Sequence, residues 1–371
     1  MNIMMIGNDT TYVYNLRDLV IQRLTEDGHH IDIVCEPRLF QDELNRMGCR
    51  LIPVTIGRHG KNPLHDIKLY STLKRIIARE APDLVLTFNI KPNIYGGLAC
   101  RKLRVRYIAN ITGLGTAVEY PGLLQKLSVV LYRFGLKSAS CLFFQNEENK
   151  SFFLSRKIIE ADRRYHVLPG SGVNLQRHQP MAYPKEENAL SFLFIARILK
   201  EKGIDLYINA ARAIKEKYPG CSFHICGLCD DPSYQKILEA ENGRSVLYHG
   251  EQKDLIPYYE TAHCIVHPSY YPEGMSNVLL EAAAHCRPII TTDRAGCKEI
   301  VEDKISGYII PIRNEKALTD ALEAFIQLDW TQKMQMGLAG RKRIETQFDR
   351  KIVAEYYSTE IRNMFDGAQK K

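Results

Sequence analysis

Short apolar runs alternate along this chain with longer stretches in which apolar residues recur every three to four positions. "NIMMIG", "HIDIVCE", "RLIPVTI", "DLVLTFN", "RYIANIT", "CLFFQN" and "RYHVLPG" have the length and β-branched content of buried strands. Between the first of them, "YNLRDLVIQRLTEDG", "LFQDELNRMG" and "IKLYSTLKRIIAREA" carry helical spacing, the first ending at Gly28. This βαβα order predicts a parallel, doubly wound sheet. The stretch "RHQPMAYPKEENA" at 177–189 is polar, holds two prolines and has no periodicity, so it predicts a linker. A second alternation follows, from "LSFLFIA" through "SFHICG" and "CIVHPS" to "PIITT", and helical patterns occupy the chain from about residue 315. The expected layout is a first domain over 1–178, a second over 186–345, and a C-terminal helix in 346–371 packing back on the first. Two such domains in tandem predict a ligand cleft between them, at the carboxyl ends of the strands.

The composition fits this layout. A chain of 371 residues exceeds one comfortable core. Hydrophobic residues make up 45% and charged residues 25%, the balance of a soluble globular protein. No apolar run reaches the length of a membrane span, and the N-terminus lacks the basic region and cleavage site of a secretory signal. Ten scattered cysteines, several in strand-like runs, suit reduced core thiols in the cytosol, and the single C-x-x-C at Cys226 and Cys229 lacks the second pair of a zinc site. Net charge is +7, unevenly spread: residues 1–185 hold 26 Lys+Arg and 16 Asp+Glu (+10), the remainder 24 and 27 (−3). A basic first half suits anionic substrates or an anionic membrane surface. No nucleic-acid-binding motif is present, so no nucleic-acid partner is expected.

The stretch "YYPEGMSNVLLEA" at 270–282 places Glu273 in a Pro/Gly turn and Glu281 in an apolar helical run. The turn separates "CIVHPS", a strand, from "SNVLLEAAA", a helix with Ser276 or Asn277 as N-cap. Such a helix start directs free N–H groups and a positive dipole end at an anion, which suits a diphosphate. Gly274 permits close backbone approach. Glu281 stands about 7.5 Å along the helix axis and leans back toward its start, within reach of a diol one phosphate away. Spacing alone is equally compatible with an ordinary helix glutamate and a solvated loop glutamate; the apolar setting of Glu281 favours a bound partner.

Two further clusters follow strands. In "FIARILKEKGIDL", Arg197 and Lys202 are cations suited to neutralising a diphosphate, although Lys200 beside them equally suits a solvated basic loop. In "TFNIKPNIYGG" and "NITGLGTAVEY", Lys91, Thr112, Gly113 and Gly115 fit either close backbone approach or tight turns. Gly7 follows the first strand, but G-x-G-x-x-G is missing, which weighs against a nicotinamide oxidoreductase. Asp-x-Asp, H-E-x-x-H, P-loop and G-x-S-x-G motifs are also missing. No metal or cofactor is expected.

Together these residues resemble the GT-B retaining glycosyltransferases of family 4. The resemblance rests on E-x7-E at Glu273 and Glu281 in "EGMSNVLLEA", Arg197 and Lys202 in "ARILKEKG", "FFQNEENKSFF", "LPGSGVN" and "TTDRAGCKEIVED", in family order over essentially the whole chain. Within that family the chain is similar to bacterial enzymes extending polyprenyl-diphosphate-linked sugars. The resemblance implies an α/β GT-B fold of two doubly wound Rossmann-like domains facing a cleft. It implies a UDP-sugar donor, a polyprenyl-diphosphate-linked sugar acceptor and a cytoplasmic location, peripheral on the inner face of the plasma membrane. Arg197 and Lys202 would bind the donor diphosphate, Glu281 the ribose and Glu273 the sugar. Gly274, Met275, Ser276 and Asn277 would offer nearby backbone contacts, with the base near Gly227 and Gln252. The first domain would hold the acceptor through Asn15, Arg17, Lys91, Thr112 and Gly113. This chain lacks the histidine that many members carry after the fourth strand and the paired glycines of their first loop. A sugar-nucleotide epimerase or hydrolase of the same architecture, and a non-catalytic sugar-nucleotide sensor, are the alternatives. The basic amphipathic stretch "LLQKLSVVLYRFGLKSAS" at 123–140 reads equally as a membrane-surface helix or a core-facing one.

Overall fold

The computed structural model describes residues 1–57, 63–115, 122–185 and 190–366. Contacts divide the chain into two units: Met1–Gly172 with Pro272–Met275 and the segment from Arg350, and Val173–Tyr271 with Ser276–Asp349. The chain leaves the first unit between Gly172 and Val173, ahead of the polar stretch expected as the linker, of which 186–189 fall outside the described residues.

The first unit is built on seven parallel strands: β1 (Asn2–Asp9), β2 (His30–Glu36), β3 (Arg50–Pro53), β4 (Leu84–Phe88), β5 (Arg106–Ile111), β6 (Cys141–Phe144) and β7 (Tyr165–Val167). Their order is β3-β2-β1-β4-β5-β6-β7, so strand order reverses between β1 and β4. Every residue of β4 is buried, as a strand covered on both faces requires. β1 does not end at Gly7. It continues with a register shift past Ile6 to Asp9, whose carboxylate accepts the Tyr12 N–H at 2.8 Å and caps the helix Thr10–Glu26.

The helix Arg350–Asp366 completes this unit's core. Val353, Ala354, Tyr357 and Ile361 pack with residues of β1, β2, β4 and β6. At its start the Arg350 guanidinium meets Asp18 at 2.6 Å and also donates to the Asn15 carbonyl at 2.7 Å. Elsewhere the helices Gly97–Leu103 and Leu123–Leu136 touch backbone to backbone, since a Cβ on Gly97 would lie 2.2 Å from the Gly135 carbonyl oxygen.

The second unit carries six strands: β8 (Ser191–Ile195), β9 (Ser222–Cys226), β10 (Leu247–Tyr248), β11 (Cys264–His267), β12 (Ile289–Thr292) and β13 (Gly307–Ile310). They are parallel, in the order β10-β9-β8-β11-β12-β13, with the reversal between β8 and β11. β13 was not apparent from the apolar pattern. Its Gly307 is required by close approach, because a Cβ there would stand 1.9 Å from the Ile289 carbonyl oxygen. Nine of the ten cysteines are buried and all ten are free thiols. Among the described residues, no helix is long and apolar enough to cross a membrane.

Candidate active site

In a doubly wound sheet, ligands gather beyond the carboxyl ends of the strands where strand order reverses. In the second unit this edge lies past β8 and β11, and most residues expected for the donor come from these two strand ends. β8 leads to exposed Arg197 and then to a 3₁₀ turn, Lys200–Lys202. Gly203 (φ +80°) closes that turn against Pro268, the residue after β11; a Cβ at Gly203 would lie 2.2 Å from the Pro268 carbonyl oxygen. The two strand ends are therefore locked together by a contact that only glycine allows. The Lys202 ammonium sits 4.9 Å from the Tyr271 ring centre, a cation–π contact that fixes its direction. The backbone N–H of Tyr270 donates to the Glu201 carbonyl at 2.8 Å, a second tie between the strand ends.

β11 leads through the Pro/Gly turn to the helix Asn277–Ala284. Ser276 occupies its N-cap position, but its side chain makes no capping hydrogen bond; the hydroxyl instead lies 3.5 Å from His267 Nε2. Its backbone N–H is held by the Gly296 carbonyl at 2.8 Å. The helix start thus keeps its first-turn N–H groups free of a side-chain cap, the arrangement suited to an anion. Asn277 Oδ1 is buried without a hydrogen-bond partner. Glu281, half-buried on the first turns, lies 3.4 Å from the hydroxyl of fully buried Tyr259. Burial, and then the adjacent Glu281 carboxylate, push the Tyr259 hydroxyl well above its ordinary pKa, so it remains a donor to that carboxylate. Behind them Arg287 donates to the Tyr259 carbonyl at 2.6 Å. Near the end of β9, Gly227 has both backbone groups engaged: its N–H with the Gly250 carbonyl at 2.8 Å and its carbonyl with the Tyr248 hydroxyl at 2.8 Å. Gln252 donates to the His249 carbonyl at 2.5 Å.

The remaining candidates belong to the first unit. Glu273 pairs as an isolated antiparallel bridge with Gly113, just beyond β5. The Asn146 amide donates to the Glu273 carbonyl at 3.2 Å and the Gly274 carbonyl at 2.5 Å, while Asn149 reaches the Glu273 carbonyl at 3.5 Å. Asn146 also caps the helix Glu147–Ser155, accepting from Asn149 N–H at 2.8 Å. The close approach that Gly274 permits is made by the protein itself. A Cβ there would lie 2.1 Å from Gln145 Oε1 and 2.7 Å from the Thr112 carbonyl oxygen. Met275 is likewise buried, packed against Gly170. Neighbouring protein therefore fills the side-chain positions of both residues. Asn146 and Asn149 hold the Glu273 turn and Gln145 packs beside it; all three lie in "FFQNEENKSFF", where the sequence alone assigns them no role. Their signal was the helix-capping pattern of that stretch, with polar residues directly after a buried strand.

The acceptor-side candidates lie at the β1/β4 reversal and on neighbouring β5. Arg17 is 1% exposed, stacked 4.8 Å over the Phe88 ring, with Nη1 donating to the Leu16 carbonyl at 2.6 Å and Nε lacking a partner. Asn15 is tied through its carbonyl to Arg350. Asn89, at φ +72°, donates to Thr112 Oγ1 at 3.0 Å, and Lys91 pairs with Asp66 at 3.0 Å. Gly113 and Gly115 both have positive φ, +135° and +70°. Residues 116–120 of the "NITGLGTAVEY" stretch lie outside the described residues.

One group of possible metal ligands comes together among the described residues: Cys141, His166 and Glu360. Glu360 is already held by Arg164 at 2.7 Å and His166 at 3.0 Å. Burial pushes the Cys141 thiol above its ordinary range, so the group is the Arg164–Glu360 ion pair beside a neutral thiol.

Two family models match the chain, "Glycosyl transferases group 1" over residues 176–343 and "Glycosyl transferase 4-like" over residues 2–146. A Campylobacter jejuni N,N'-diacetylbacillosaminyl-diphospho-undecaprenol alpha-1,3-N-acetylgalactosaminyltransferase is 25% identical over 362 residues, covering 93% of this chain and 94% of its own length. The Staphylococcus aureus capsular polysaccharide biosynthesis glycosyltransferase CapM is 24% identical, covering 81% of this chain and 82% of its own. Among solved structures, Anabaena HepE in complex with UDP and glucose superposes with a TM-score of 0.79 at 15% identity, over 98% of this chain and all of that one. Sucrose-phosphate synthase from Thermosynechococcus elongatus gives 0.78 at 21% identity, over 99% of this chain and all of that one.

Proposed function

This chain belongs to the glycosyltransferases described by those two models, and from that premise we propose that it moves one hexose or N-acetylhexosamine from a UDP-sugar to a polyprenyl-diphosphate-linked sugar. N-acetylgalactosamine is the first candidate, from the relative of matching length. The observation that carries the reading is the convergence, at the β8/β11 reversal, of Arg197, Lys202 and the uncapped start of the helix Asn277–Ala284, with Glu281 beside it.

In this reading the donor diphosphate rests on Arg197, Lys202 and the helix start, with Ser276 and Asn277 offering backbone N–H groups. Glu281 accepts hydrogen bonds from the ribose hydroxyls, oriented by Tyr259, and the base lies toward Gly227 and Gln252. Glu273 binds the sugar hydroxyls, its turn fastened by Asn146. Asn15, Arg17, Lys91, Thr112 and Gly113 serve the acceptor, and the unpartnered Nε of Arg17 suits an acceptor oxygen.

The bond from the anomeric carbon to the donor diphosphate breaks, and the acceptor oxygen bonds to that carbon from the same face, with retention. The acceptor hydroxyl's proton passes to the departing diphosphate. Arg197, Lys202 and the helix dipole stabilise the charge that develops on that leaving group, which is where preorganised cations contribute most. No metal takes part in this scheme.

The enzyme works as a peripheral protein on the inner face of the plasma membrane. The helix Leu123–Leu136 supports this, because it exposes Leu123, Leu127, Val130 and Phe134 while burying Gln125, Val129 and Tyr132. It is therefore not simply a core-facing helix with solvated lysines. Arg133 on this helix is engaged by the carbonyls of Lys157 and Arg156, at 2.9 and 2.5 Å, which leaves Lys126 and Lys137 as its exposed cations.

The test is a panel of UDP- and GDP-sugars, scored for nucleotide release with and without membrane extract containing polyprenyl-diphosphate sugars. Release from one preferred donor that requires the extract supports the reading. Release without extract points to a hydrolase, an epimerase or a soluble acceptor, and tight donor binding without turnover points to a sensor.

A further inference from the structure

An apolar groove of about 930 Å³ lies within the first unit, at the upper end of the roughly 300–1,000 Å³ typical of small-molecule sites. The helix Pro63–Glu80, the turn Pro92–Gly96 with the helix Gly97–Leu103 that continues it, and the helix Leu123–Leu136 form its walls. Tyr70, Leu98, Leu124, Leu127 and Leu131 supply its apolar surface. Leu127 is 56% exposed and Ile67, also on the wall, 62%. A contiguous exposed apolar surface of this kind marks a place where something binds.

The two ends of the groove differ chemically. Lys91 stands at one end, three residues past β4 and two past Asn89, whose amide holds Thr112 beside the Gly113–Glu273 bridge. This end opens at the carboxyl edge of the sheet, where the acceptor candidates gather. Arg101 and Lys102, both exposed, stand at the other end, on the last turn of the helix. Ten residues of helical chain separate Lys91 from Arg101, and because Pro92–Gly96 is a wider π-helical turn the span is somewhat under the roughly 15 Å of an α-helix. Asp66 also faces the first end and pairs with Lys91 at 3.0 Å, so an anion arriving there competes with this carboxylate.

We propose that this groove holds the first isoprene units of the polyprenyl-diphosphate acceptor, with the diphosphate at Lys91 and the chain running past Leu98, Leu127 and Leu131 toward Arg101 and Lys102. The proposal rests on the acceptor reading above and adds the chain-binding site. The charge pattern matches an amphiphile of this kind. A cation at the edge of the sheet meets the anionic head, an apolar channel meets the hydrocarbon, and exposed cations at the far mouth face the anionic bilayer from which the chain emerges. The groove makes the lipid part of the acceptor a determinant of recognition, separate from its sugar.

Calorimetric titration with geranylgeranyl diphosphate, kept below its aggregation concentration, and with inorganic diphosphate tests this on the full-length protein. The prenyl compound is expected to bind at least about tenfold more tightly, which is about 1.4 kcal/mol. Leu127→Asp, at an exposed position that folding does not require, and Ser128→Trp, which fills the groove, are expected to erase this advantage. Asp66→Asn is expected to tighten both ligands by removing the carboxylate that competes for Lys91. Equal affinity for the two ligands in the wild type overturns the proposal. So does an advantage that survives both Leu127→Asp and Ser128→Trp. If the advantage is absent while Leu127→Asp abolishes flotation with phosphatidylglycerol vesicles, the face docks on the bilayer instead, and the proposal falls. A prenyl advantage lost in the variants, in a protein that turns over no polyprenyl-linked sugar, keeps the isoprenoid site and refutes the acceptor reading. Turnover of such a sugar with no prenyl advantage does the reverse.

Discussion

Replacing Gly274 with alanine tests whether the turn carrying Glu273 is held for catalysis. A Cβ at this position would lie 2.1 Å from Gln145 Oε1 and 2.7 Å from the Thr112 carbonyl oxygen. The glutamine side chain can swing away at the loss of its hydrogen bond to Ser171, 3.0 Å long. The Thr112 carbonyl cannot, because it is backbone, directly after β5 and directly before the Gly113–Glu273 bridge. Ordinary C–H···O contacts begin at about 3.3 Å, so the turn must retreat by about 0.6 Å. That movement pulls the Gly274 carbonyl off Asn146, now 2.5 Å away, and carries Glu273 with it. Overpacking of this size costs about 1–3 kcal/mol. A displacement approaching 1 Å at a substrate-positioning residue costs up to about 100-fold in rate. Gly274→Ala is therefore expected to fold with a slightly lowered Tm and to lose about 10- to 100-fold in kcat. Affinity for UDP alone should change little, since Arg197, Lys202 and Glu281 belong to the other unit. The assay is steady-state UDP release with the preferred donor and acceptor, beside calorimetric UDP binding. Wild-type kcat in a variant whose fold is intact would refute the argument that this turn positions Glu273. Asn146→Ala is the independent check, because it removes the same support without adding an atom.

Glu281→Ala should raise the donor KM through loss of charged hydrogen bonds contributing about 1.5–3 kcal/mol, and an unchanged donor KM counts against its ribose role. Lys202→Ala should lower kcat as well as donor affinity, since leaving-group charge develops only in the transition state; wild-type turnover would exclude leaving-group stabilisation. Asp18→Asn leaves the Arg350 guanidinium buried without its carboxylate and should destabilise the protein by about 3–5 kcal/mol, read as a lower Tm in thermal unfolding; no change would show that the carbonyls around Arg350 suffice. His285, fully buried between His178 at 3.1 Å and the Gln179 carbonyl at 2.8 Å, is held neutral, its pKa lowered mainly by burial. Below the unfolded pKa of about 6.5 the unfolded chain then binds a proton that the folded one refuses, so stability should fall as pH drops from 7 to 5. His285→Gln should flatten that slope measured by denaturant unfolding, and an unaltered slope would place the titrating group elsewhere.

Sequence alone determined the repeating layers, because parallel strands buried on both faces must be written as continuous apolar runs and their crossover helices as 3.6-residue patterns. It located the β8 and β11 ends, the Ser276 start of the helix and the spacing of Glu273 and Glu281, since these lie within single local segments. It did not reveal β13, a four-residue strand whose "GYII" is too short to have a period and whose glycine is explained only by the Ile289 carbonyl facing it. It ended the first strand at Gly7, where pairing with β2 instead carries β1 on to Asp9. That Gly274 permits a close approach was legible, but not what makes that approach, because a glycine's neighbours in space are not its neighbours in sequence. Only the fold brings Gln145 and Thr112 against it. The same reason hid the roles of Asn146 and Asn149, more than a hundred residues from the carbonyls they hold. The exposed stripe Leu123, Leu127, Val130 and Phe134 shows the limit most directly. Helical periodicity reveals which side chains share a face, but whether that face meets the core, the solvent or a ligand depends on what the rest of the chain packs beside it.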